Sequence, residues 1–200
     1  MDTSLERGTN GSSDAASSPD QQAPERWEID ESRSRLSFAL SHLVFHQVRG
    51  HFERWGGTLF LNRRQPSLSS IRVWVDLASV DTDSSERDAH LRSAEFFDVA
   101  QFPRATFEST TVEIRDGAVI MNGRLNLHGA VRDIQVTASP IAMPPKAHAR
   151  PRETFSARTT FDRQAFGLHW NQDLDLGGVV VGDNVKLEAH VETIRFGDDA

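Results

Sequence analysis

His42 and His46 stand four residues apart, the spacing that puts two imidazoles on one helical face and begins many zinc sites. Such a site needs three or four converging ligands, yet only Leu43, Val44 and Phe45 lie between, with no glutamate and no third ligand nearby. Nucleophilic chemistry is equally thin. The chain has no cysteine, and no G-x-S-x-G turn that would expose a serine. The carboxylate pairs Asp81/Asp83 and Asp173/Asp175 fall in loop-like sequence, where solvated charge is the ordinary state. Gly56-Gly57 and Gly177-Gly178 lack the strand-to-helix setting of a phosphate loop. This inventory favours binding over catalysis.

One segment concentrates polar chemistry. Ser85-Glu86-Arg87-Asp88 has the form of a capping box with Ser85 as N-cap, and predicts a short helix over Glu86–Glu95. Arg87, Asp88 and His90 ride on it, and Phe96-Phe97 follow. As a lid, the helix would carry these groups toward a polar ligand end. As a capped connector, its charges would pair among themselves and its phenylalanines would plug the core.

Around this helix the hydrophobic period is two. Leu36, Phe38 and Leu40 alternate with polar or small neighbours, as do Ile71, Val73, Val75 and Leu77, and then Val119, Met121, Leu125 and Leu127. Ile134 to Ala138, Phe155 to Phe161 and Val185 to Val191 repeat the pattern. Shorter strands are expected at Val48–Phe52, Thr58–Leu61 and Thr106–Ile114. The last changes phase between Phe107 and Val112, which predicts a bulge. Turns such as Asp116-Gly117 make the sheet antiparallel. About eight half-buried strands can stack as a sandwich or close as a barrel, and periodicity leaves both open.

Composition bounds the rest. The chain has 200 residues, enough for one domain, and 22 basic against 29 acidic residues give a net charge of −7. That balance disfavours a nucleic-acid partner, which requires a basic face. No apolar run reaches the roughly 20 residues of a membrane-spanning helix. Residues 1–24 hold no aromatic and one leucine, Leu5, so a disordered leader is expected there, with the folded domain over 25–196 and a flexible end at 197–200. The leader lacks the apolar run of a secretory signal, which makes the cytoplasm the expected compartment.

Several motifs resemble those of the YceI-like family. They begin with Trp27-Glu28-Ile29-Asp30, Ser34, Phe38, His42-Leu43 and Val48-Arg49-Gly50-His51-Phe52. Ser79-Val80-Asp81-Thr82, Arg87-Asp88-Ala89-His90-Leu91, Phe96-Phe97-Asp98-Val99, Phe102-Pro103 and Phe107-Glu108-Ser109-Thr110 continue the match. Gly123-Arg124-Leu125, His128-Gly129, Phe166-Gly167-Leu168 and Val181-Gly182-Asp183-Asn184-Val185 complete it. The resemblance spans about Trp27 to Glu192. Arg33 stands where the family usually has a histidine.

The resemblance implies an all-β, closed, lipocalin-like antiparallel barrel of about eight strands around an elongated apolar cavity. The implied function is to bind, carry or sequester an isoprenoid lipid, either a polyprenyl phosphate or an isoprenoid quinone, without catalysis. Phe38, Leu40, His42, Phe52, Val73, Phe96, Phe97, Phe107, Leu125 and Phe155 are the expected cavity wall. Arg87, Asp88 and His90 are the expected partners of the lipid's polar head. No cofactor and no metal are expected, nor nucleic acid or stable membrane insertion, while a homodimer stays open. Two alternatives differ in class. One is an enzyme working on a hydrophobic substrate with His90 and Asp88 as acid and base. The other is a ligand-free protein acting in stress tolerance through protein contacts.

Overall fold

A computed structural model of the chain describes residues 23–42, 46–142, 151–170 and 182–197. Alternating sequence becomes strand at each predicted place. The first six strands are β1 (Glu25–Ile29), β2 (Arg35–His42), β3 (His46–Phe52), β4 (Trp55–Leu61), β5 (Ser70–Asp76) and β6 (Val80–Asp81). After helix α1 (Ser85–Arg92) come β7 (Arg104–Arg115), β8 (Ala118–Leu127), β9 (Ala130–Pro140), β10 (Arg152–Asp162) and β11 (Asn184–Phe196).

Eight of these strands form a ring in the order β1, β4, β5, β7, β8, β9, β10, β11, closed by pairing of β11 with β1. Every pairing is antiparallel. The fold is therefore a closed eight-stranded antiparallel barrel with, among the described residues, one short α-helix, and closure removes the exposed edges that an open sheet would carry. The long strand β11 takes two neighbours along one edge. Its residues 193–196 pair with β1, and its residues 186–190 pair with β2. One end of the barrel is thus walled by β1 and the other by β2, with β3 and β6 folded on beyond it.

The predicted phase change in β7 is a register shift between Ser109 and Thr111, which lets both Phe107 and Val112 turn inward. Asp116-Gly117 joins β7 to β8 with φ values of +51° and +78°, the left-handed pair that a two-residue hairpin requires. Between β9 and β10 the pairing is confined to residues 137–140 and 155–158. Beyond it the strands part, and the Thr159 hydroxyl donates across the opening to the Gln135 carbonyl at 2.7 Å.

His42 and His46 are cross-strand partners in the β2–β3 hairpin. One local expectation is corrected: the helix begins and ends earlier than predicted. Ser84, not Ser85, is its N-cap, with its hydroxyl accepting from the Arg87 N–H at 3.4 Å. It stops at Arg92, not Glu95, because Ser93 turns extended and its N–H and hydroxyl both donate to the His90 carbonyl.

Candidate functional site

The two ends of the barrel interior differ. At the α1 end the inward side chains meet. Phe38, Phe52 and Phe97 form a chain of tilted rings with centroids 5.5 and 6.3 Å apart, and Phe96 packs edge-on against Phe97 at 5.0 Å. Trp55, Leu77, Val80, Phe166 and Leu168 complete this plug. Toward the other end a second cluster, Trp27, Leu59, Ile71, Phe107, Val112 and Met121, packs along the wall without filling the interior, and leaves a cavity of about 970 Å³. That is near the top of the ~300–1,000 Å³ range of small-molecule pockets. Ile71, Val73, Phe107, Met121, Leu125, Ile134, Val136, Ala138, Phe155, Ala157, Leu187 and Val191 line it, with Leu36 and Trp55 toward the plug.

Small residues hold the wall open. A Cβ at Gly123 would lie 2.6 Å from the Phe107 ring and 2.5 Å from the Glu108 carbonyl oxygen. The ring can lie across the strand only because position 123 carries no side chain.

The cavity opens where β4, β7, β9 and β10 end or begin. Leu61, Arg63, Pro66, Ile114, Gly117, Ile141, Arg152 and Glu153 surround this mouth. Phe60, Leu68, Ile114, Ile141 and Phe196 are exposed near it. Its charged groups come from four consecutive strands of the ring. Arg63, just past β4, pairs with Glu153 on β10, and its Nε lies 4.0 Å from Glu25 on β1. Arg195 on β11 reaches Glu25 at 3.5 Å. The Arg63 guanidinium also stands 5.7 Å from the centre of the Trp27 ring.

Beside the mouth, on the outer face, a second balanced cluster ties the β1–β2 connection to β10 and β11. Arg152 donates to Asp30 at 2.7 Å and to Glu192 at 2.6 Å, and Arg33 lies 3.9 and 3.6 Å from the same two carboxylates. The Ser32 hydroxyl donates to Asp30, and with Arg152 it holds this carboxyl below the ordinary range against the opposing effect of burial. The Arg152 guanidinium is pushed up, first by its bond to Asp30 and then by Glu192.

Of the expected wall, Val73, Phe107, Leu125 and Phe155 line the cavity. Phe38, Leu40, Phe52, Phe96 and Phe97 do not; they belong to the plug or pack against it. The side chain of His42 lies outside the described residues.

The expected head-group cluster also sits elsewhere. Arg87, Asp88 and His90 line no part of the cavity, because α1 closes the opposite end. Asp88 is buried and accepts from the Thr82 N–H at 3.0 Å and hydroxyl at 2.6 Å. Arg87 donates to the Thr82 hydroxyl and carbonyl at 2.8 and 2.5 Å. These bonds fasten the helix to the segment before it. The His90 ring lies tilted against Trp170 with centroids 4.6 Å apart, and its Nδ1 is 3.4 Å from Glu95. Among the described residues no cluster of three potential metal ligands occurs.

Residues 27–193 match the model of the YceI-like domain, and the chain belongs to that family. It is 32% identical over 165 residues to a UPF0312 protein of Shewanella baltica strain OS185, covering 82% of this chain and 83% of that protein. A UPF0312 protein of Shewanella oneidensis is 29% identical over 169 residues, covering 84% and 85%.

Solved structures share the fold. Burkholderia cenocepacia BcnA superposes with a TM-score of 0.71 at 19% identity, over 82% of this chain and 98% of that one. A polyisoprenoid binding domain from Saccharophagus degradans, implicated in plant cell wall breakdown, gives 0.60 at 17% identity, over 85% and 98%.

Proposed function

We propose that the protein is a non-catalytic carrier or sequestering protein that holds an isoprenoid chain in the barrel. The observation that carries this reading is the cavity itself: about 970 Å³, aliphatic and aromatic along its length, plugged at one end and open at the other. Each CH₂ moved from water into such a lining contributes about 0.8 kcal/mol, so a long apolar chain gains affinity without polar chemistry. Exposed apolar side chains near the mouth suit the passage of such a ligand. The domain named for polyisoprenoid binding shares the fold and lends the class of ligand.

The acid–base alternative needs His90 and Asp88 to face a substrate, and neither lines the cavity. We place the protein in the cytoplasm, with no bound cofactor other than the lipid. The test is to extract the purified protein with organic solvent and identify what elutes, beside an Ala157→Trp variant whose indole obstructs the cavity. A prenyl-chain lipid from the wild type and none from the variant is the expected result. The reading fails if the wild type elutes no lipid and geranylgeraniol does not quench its tryptophan fluorescence.

A further inference from the structure

Resting on the carrier reading, we infer that the mouth selects a ligand with an uncharged oxygen head, a hydroxyl or a carbonyl, and rejects a prenyl phosphate or diphosphate. The basis is the charge arrangement at the mouth. Arg63, which lines the mouth, already holds the Glu153 carboxylate and lies close to Glu25, and Glu25 is held in turn by Arg195 beside the opening. These four side chains come from or beside β4, β1, β11 and β10, which are neighbours in the ring, so two positive and two negative groups sit around one side of the opening.

Arg152, also at the rim, is bound to Asp30 and Glu192, which Arg33 faces as well. Arg158 borders the cavity farther along β10, on the outer face and away from the rim. The arginines at the rim thus already face carboxylates of the chain.

A phosphate at Arg63 meets a guanidinium whose charge is already offset, and it stands beside the Glu153 and Glu25 carboxylates; like charges so placed oppose binding. An uncharged head meets no such penalty. It can accept from the outer N–H groups of Arg63, which is more than half exposed, without breaking the pair. Carboxylates at the mouth thus work as a filter against anionic lipids.

The experiment titrates the full-length protein with geranylgeraniol and with geranylgeranyl diphosphate, read by quenching of tryptophan fluorescence, since Trp55 lines the cavity. The wild type is expected to bind the alcohol at least about tenfold more tightly. In the double variant Glu25→Gln, Glu153→Gln the two arginines lose their partners, and the ratio of affinities should move toward the diphosphate by about tenfold or more. Equal or tighter binding of the diphosphate by the wild type overturns the inference and leaves the carrier reading standing. So does a ratio that the double variant leaves in place. Binding of neither ligand overturns both.

Discussion

The two ends of the barrel are built on largely the same ring of strands, with the same inward alternation, and differ in what the inward positions carry. Toward α1 they carry Phe38, Phe52 and Trp55, joined by Phe97 and Phe166 from the connections, and the interior is solid. Toward the mouth Phe107 and Met121 lie along the wall among Val73, Val112, Ala138 and Ala157, and the interior is hollow. Period two decides only which face looks inward. The size of the residue at each inward position decides whether opposite walls touch, and so whether the barrel has a core or a cavity.

The largest effect should come from testing this contrast directly. Phe38 is 8% exposed and ringed by Phe52 and the rest of the plug, so Phe38→Ala is expected to cost about 3–5 kcal/mol by urea denaturation. Phe155 borders empty space and already lacks partner atoms on that side, so Phe155→Ala should cost clearly less. Equal losses at both positions would erase the distinction between a packed and a hollow end.

Gly123→Ala attacks the boundary of the hollow end. Its Cβ would meet both the Phe107 ring and the Glu108 carbonyl, which is backbone and cannot swing away. A cost of about 1–3 kcal/mol is expected from overpacking, together with a change in prenol affinity as Phe107 is pushed aside. Thermal melting and fluorescence titration read the two effects. An unchanged melting temperature would mean that the strand shifts to make room.

The strands, the bulge after Phe107 and the Asp116-Gly117 turn were legible because each follows from local pattern. The barrel came through the family resemblance, since periodicity fits a sandwich equally well. The site was only half legible. Val73, Phe107, Leu125 and Phe155 could be chosen by facing and apolarity, but the same two criteria admit Phe38 and Phe52. Whether an inward phenylalanine lines space or fills it depends on what the opposite wall carries.

Arg87, Asp88 and His90 drew attention as a polar cluster on a helix. Yet the partner of Arg87 and Asp88 is Thr82, a few residues before them in the chain, and those bonds are the bonds of a connector, while His90 lies against Trp170 and Glu95. Glu153 was within reach of the sequence. It stands two residues before Phe155 on one strand and must face the same way. Arg63 follows β4 in irregular chain, where no period points it anywhere, and its pairing with Glu153 depends on closure of the ring.

A smaller effect is expected from acid, and it separates the mouth from the plug. The Asp30 carboxyl is held below its usual value of 3.8. A depressed carboxylate contributes stability that is present above the unfolded value and is lost as pH falls through the folded one. Acidification from about pH 5 downward should therefore loosen the cluster beside the mouth, where Arg152 and Glu192 depend on Asp30. Asp30→Asn should be less stable than wild type at neutral pH and should converge with it in acid. Chemical denaturation at a series of pH values checks this. Parallel curves would mean that Asp30 carries no pH-linked stability.

The smallest effect on stability should come from Arg63, although it stands at the centre of the mouth. Its side chain is 57% exposed and its partner Glu153 is partly so, and exposed pairs contribute only about 0–1 kcal/mol. The Trp27 ring beneath adds a cation–π contact at 5.7 Å, which at an exposed site adds about 0.5–1 kcal/mol. Arg63→Met keeps an unbranched apolar stem over Trp27 while removing the charge. It should leave the melting temperature within a few degrees of wild type, where Phe38→Ala lowers it far more. A loss comparable to that of the plug would make Arg63 a strut of the barrel and not a group at a ligand's doorway.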